Sequence, residues 1–125
     1  MKKYNEQLAN IFVDIDDTLT PDLGETFFEG AIEKLISLSE KANIIVWSKG
    51  ELSYIYEIVD KSGLSDYVSM CIPKPSLMID DLSVGEFSGV LNISNGDWSR
   101  MDLSSSELES DWFEDSEYLR AKYKV

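Results

Sequence analysis

Two short, unbroken apolar runs separated by a segment of helical period constrain this chain more than any other feature. Ile11-Phe12-Val13 and Ile44-Ile45-Val46-Trp47 hold only β-branched and aromatic residues, with no polar interruption. Runs of that length and composition suit strands covered on both faces, as in a parallel sheet. Between them Phe28, Ile32, Leu35 and Ile36 recur at helical spacing, which predicts a helix across residues 28–41. After the second run, Ser48-Lys49-Gly50-Glu51 has the form of a capping box. Leu52, Ile55, Tyr56 and Val59 then line one face of a second helix, with Gly63 just past its end. Residues 67–72, 77–79 and 90–93 are further short apolar segments. The order strand, helix, strand, helix, strand predicts an α/β domain with a mostly parallel sheet and right-handed crossovers.

At 125 residues the chain has room for a single domain, residues 1–125. With 43% hydrophobic residues it can bury a core, so its net charge of −13 does not signal disorder. That charge argues against a large nucleic-acid interface and against docking on anionic lipid. No apolar run approaches the roughly 18 residues of a membrane-spanning helix, and Met1-Lys2-Lys3 leads into polar residues, unlike a secretory signal. One cysteine, Cys71, and no histidine exclude an internal disulfide and the usual zinc frameworks; Cys71 reads as a small buried residue. A cytoplasmic setting is expected. Residues 102–117 carry seven acidic side chains and no basic one. Leu108, Trp112, Leu119 and Tyr123 nevertheless fall near helical repeats, so an acidic helix over residues 102–123 is expected to pack on the sheet, with Trp98, Trp112 and Tyr118 as packing.

Chemistry concentrates where the strands should end. Asp14-Ile15-Asp16-Asp17-Thr18 closes the first strand, and ligands of open α/β sheets bind at the carboxyl ends of strands. Asp14 and Asp16, two apart on extended chain, share a side. Carboxylates forced together there call for a cation or a shared proton, and magnesium, with its preference for oxygen ligands, water and phosphate, suits the place. Asp-rich turns also follow strands for structural reasons, because Asp caps helices and accepts backbone hydrogen bonds. Ser48 after the second strand, Lys74 after the third and Asp80-Asp81 after the fourth put a phosphate- or metal-binding group at every expected strand end.

In these four places the sequence resembles the haloacid dehalogenase-like phosphohydrolases, whose motifs are D-x-D-x-T, a Ser or Thr, a Lys and an acidic pair. The resemblance spans residues 10–81. It implies a Rossmann-like fold and magnesium-dependent hydrolysis of a phosphomonoester. Asp14 would be the nucleophile that forms an aspartyl-phosphate, and Asp16 the general acid and then base. Asp14, Asp16 and one of Asp80 and Asp81 would hold the metal. Ser48 and Lys74 would bind the phosphoryl oxygens, and Thr18 would order the loop. Ser48 reads equally as a helix N-cap, and Lys74 as a solvated lysine.

Two features depart from the family pattern. Only five residues separate Lys74 from Asp80, too few for a crossover, so either segment 67–72 is short or irregular or the chain drops in extended form, as Pro73 and Pro75 favour, directly into a short fourth strand. No cap domain is inserted: residues 19–29 form only a loop, in which Phe27 and Phe28 serve as a small flap or pack on the first helix. An open site suits a phosphate on a bulky molecule, or needs cover from a neighbouring subunit of a homo-oligomer. The acidity favours a small phosphorylated metabolite over a polyanion. A binding protein that uses its acidic face to hold a basic partner is the alternative, and phosphotransfer to an acceptor other than water would use the same residues.

Overall fold

Strands β1 (Ala9–Asp14), β2 (Ala42–Ser48) and β3 (Met70–Pro73) lie side by side in that order, all parallel, in the computed structural model. It describes residues 1–82, 93 and 98–100. Helices α1 (Ala31–Leu38) and α2 (Leu52–Lys61) make the two crossovers. The chain divides into two units, Met1–Pro75, which holds all of these elements, and Ser76–Val125. The α/β architecture with a parallel sheet is as the sequence leads one to expect. No helix among the described residues is long and apolar enough to cross a membrane.

Register sorts the strand residues into two faces. Val13 stands opposite Val46, and Val46 opposite Cys71; on the other face Asp14 stands opposite Trp47, and Trp47 opposite Ile72. Val13, Ile44, Val46 and Cys71 are buried, as are Ala31, Leu35 and Leu38 of α1 and Ile55, Ile58 and Val59 of α2. Burial of Cys71 pushes its thiol up to about 11, in keeping with an unreactive packing residue. The other face is only partly covered. Phe12 is 50% exposed, so β1 is not the doubly buried strand its composition suggests, and Met70 and Ile72 are also exposed. Phe12 instead sets its ring edge against Trp47, with centroids 4.8 Å apart.

Several element boundaries differ from expectation for local reasons. The first helix begins at Ala31, because Gly30 takes a left-handed φ of 81° and the Phe28 N–H is drawn to the Leu19 carbonyl. Ser48 does not cap the second helix: it is the last residue of β2, and the helix starts behind Glu51, whose side chain makes no capping bond. Leu52 and Tyr56 are exposed, and Ile58 takes the buried place on α2 that Tyr56 was expected to fill. Gly63 does end the helix. Its φ is 80°, its N–H goes to the Asp60 carbonyl and the next N–H, of Leu64, to Val59, the paired bonds of a Schellman motif. The third strand begins at Met70 rather than residue 67, since Tyr67 and Val68 are turned back to the Leu64 carbonyl.

Residues 77–79 form no strand; Leu77 and Ile79 are 77% and 93% exposed. With Pro75 and its missing N–H just before them, that apolar stretch extends without a ladder. Residues 90–92 and the acidic segment 102–123 lie outside the described residues. Trp98 belongs to a short 3₁₀ turn, Trp98–Arg100.

Candidate functional site

Because the strands are parallel, Asp14, Ser48 and Pro73 end them on one edge of the sheet, and Lys74 follows one residue beyond. Lys74 is placed by the ladder itself: its backbone N–H donates to the Ser48 carbonyl at 2.8 Å, continuing the β2–β3 pairing. From there its side chain crosses the middle strand. Its Nζ stands 5.8 Å from the centre of the Trp47 ring and 3.1 Å from Asp14 Oδ1. Two strand spacings make about 10 Å, which explains why only a long cation can span from the third strand to the first. The pair is about one-third exposed on each side, so it adds at most about 1 kcal/mol to stability.

The second oxygen of Asp14 faces Thr18, whose hydroxyl donates to Oδ2 at 3.4 Å. Thr18 gets there through a tight turn built on Ile15. The N–H groups of Thr18, Leu19 and Thr20 all point to the Ile15 carbonyl, at 2.8 to 3.3 Å, while Ile15 and Leu19 are fully buried anchors. Asp17 takes a left-handed φ of 61° at the bend, and its N–H closes on the Thr20 carbonyl. Asp16 is thereby lifted to the exposed apex. Its Oδ1 accepts a 2.7 Å hydrogen bond from the Tyr54 hydroxyl, carried by the first turn of α2. The Tyr54 phenol is pushed up to about 12, first by partial loss of water, then by the Asp16 hydrogen bond and the Asp16, Glu57 and Asp14 charges.

Ser48 sits at the same edge but is 1% exposed, and its Oγ accepts the Gly50 N–H at 3.1 Å. The expected site residues Asp14 and Lys74 thus come together with Thr18, Asp16 two residues on is held by Tyr54 instead, and Ser48 underpins the turn that leads into α2. Asp80 and Asp81 belong to the second unit and are exposed. The Asp80 carboxyl is held below its ordinary value, first by the Leu82 N–H at 3.0 Å and then by a hydrogen bond with Asp81.

Among the described residues no group of three or more acidic, cysteine or histidine side chains is arranged to hold a metal ion. Asp14 and Asp16 still offer the oxygen-only donors that magnesium takes in pairs, with water and phosphate completing its shell. Loop 20–28 is stapled rather than flap-like. Thr20 Oγ1 accepts the Gly24 N–H at 2.8 Å, and Asp22 accepts both the N–H and the hydroxyl of Thr26, which keeps its carboxyl below the usual range. Gly24, at φ 89°, lies so close to α2 that a Cβ there would stand 2.4 Å from Ile58 Cδ1.

Tyr54 is the residue that sequence reasoning missed. It lies in the first turn of α2 but outside the apolar stripe of Ile55, Ile58 and Val59, six residues after the strand end at Ser48. An aromatic with a polar tip in that place was the available signal. A scan of protein-family models, a search of curated proteins and a search of solved structures each returned no match.

Proposed function

We propose that this chain is a magnesium-dependent phosphomonoesterase of the haloacid dehalogenase-like kind, working through an aspartyl-phosphate on a small phosphorylated metabolite. The observation that carries the reading is the meeting of Asp14 with Lys74, 3.1 Å apart, at the carboxyl end of a parallel sheet, with Thr18 on the other carboxylate oxygen. Lys74 reaches its place across two strands, which a merely solvated lysine has no need to do.

In this scheme an Asp14 oxygen attacks phosphorus in line, and the ester oxygen departs with a proton from Asp16. Asp16 then takes a proton from water as that water attacks the aspartyl-phosphate, returning Asp14 and releasing inorganic phosphate. Lys74 holds one Asp14 oxygen in place before attack and offsets charge on the phosphoryl oxygens during it. Magnesium, when bound, would add neutralisation of phosphoryl charge, and Asp14 through its carboxylate and Asp16 through its backbone carbonyl are the groups that would hold it.

Hydrolysis of p-nitrophenyl phosphate with and without magnesium, by the native protein and Asp14→Asn, tests the proposal. Native turnover that needs magnesium and falls by roughly 10³-fold or more in the variant is expected, since no second nucleophile replaces the carboxylate. Equal turnover by the variant, or none by the native protein with magnesium, would overturn it.

A further inference from the structure

We infer that Tyr54 is a positioning residue, which fixes the Asp16 carboxyl group so that one defined oxygen, Oδ2, gives and takes the proton; this rests on the reading above of Asp16 as acid and base. Asp16 stands at the exposed apex of its turn, and the hydrogen bonds that build that turn use backbone atoms of Ile15, Asp17 and Thr20. They leave the side chain free to rotate. Among the described residues the hydrogen bond that stops it is the one from Tyr54, 2.7 Å from Oδ1.

Tyr54 is well founded for that task. It is next to fully buried Ile55 on α2, and its ring backs onto Gly50, where a Cβ would stand 3.0 Å from Tyr54 Cδ2. The absence of a side chain at residue 50 therefore makes room for the ring. A phenol keeps its proton at neutral pH and donates it to one acceptor. With Oδ1 accepting from Tyr54 in both states of Asp16, the mobile proton belongs on Oδ2. It can leave for the ester oxygen and return from water with no rotation of the carboxyl group, and Tyr54 neither gains nor loses a proton.

The variant Tyr54→Phe keeps the ring and removes the donor. Protonation of the leaving oxygen matters for an alkyl phosphate and little for p-nitrophenyl phosphate, whose leaving group departs as a stable anion. The expected result is a loss of about tenfold in kcat/KM on glycerol phosphate against less than about threefold on p-nitrophenyl phosphate. On the second substrate kcat should fall more than kcat/KM, because Asp16 still has to activate water. In an Asp16→Asn background, Tyr54→Phe should cost nothing further. A structural role alone would lower both substrates alike, and that result, an unchanged kcat/KM on glycerol phosphate, or an equal loss in the Asp16→Asn background would each overturn the inference. Should Tyr54→Phe fail to fold, Gly50→Ala, which displaces the ring and retains the hydroxyl, is expected to give the same substrate-dependent pattern. A native protein inactive on both esters would instead overturn the phosphatase reading itself.

Discussion

The two ends of one sheet treat polar residues in opposite ways. At the amino end Asn43, 1% exposed on β2, accepts the Asn5 N–H at 2.9 Å and donates to the Asn5 carbonyl at 2.7 Å and to Asn10 Oδ1 at 2.9 Å. Its amide is saturated, largely by backbone that cannot leave. At the carboxyl end the partners are side chains, one of them charged: Lys74 and Thr18 on Asp14, Tyr54 on Asp16. Such groups can exchange one another for a ligand at small cost, whereas removing Asn43 breaks bonds made from a buried position. An open hollow of about 760 Å³ lies at the amino end, lined by Lys2, Lys3, Glu6 and Glu40 among others.

Substitutions at the two ends should therefore separate activity from stability. Beyond Asp14 itself, the larger effect on activity belongs to Lys74→Ala. On the proposed mechanism it lowers kcat/KM on p-nitrophenyl phosphate by about 10²- to 10³-fold, while urea unfolding shifts by less than about 1 kcal/mol, as befits a part-exposed ion pair. Asn43→Ala should do the reverse. Three bonds to Asn5 and Asn10 are lost from a buried position on β2, and the exposed partners regain water, so unfolding becomes easier by about 1–2 kcal/mol, with turnover per folded molecule within about twofold of native. A stability loss in the lysine variant, or an activity loss per folded asparagine variant, would erase the contrast.

How much of this could be read in advance depends on whether a signal is local. The β1 and β2 runs announce themselves, since an unbroken apolar stretch of β-branched residues has few other uses, and their observed bounds differ from expectation by only a residue or two. Gly63 was legible for the same reason, a left-handed helix end that glycine alone enters cheaply. Ser48 was misread as a cap because the strand runs one residue further than its apolar part, carrying the serine into the ladder. Tyr56 was misassigned because the helix is rotated so that Ile58, packed against Gly24, is buried in its stead. Asp14, Asp16 and Lys74 could be named from spacing, but not the path by which Lys74 passes Trp47 to reach Asp14. The partnership of Asp16 with Tyr54 spans 38 residues and depends on the angle at which α2 leaves β2, which no periodicity encodes.

The account rests on the Asp14 carboxylate forming a bond to phosphorus. Asp16→Asn should slow breakdown of that intermediate, so the variant can be mixed with magnesium and p-nitrophenyl phosphate, quenched in acid and weighed intact before peptide mapping. The mass of one phosphoryl group, located on the peptide that contains Asp14, is the expected result. An unmodified variant, while the native protein hydrolyses the same ester, or a phosphoryl group on any other residue, would contradict it.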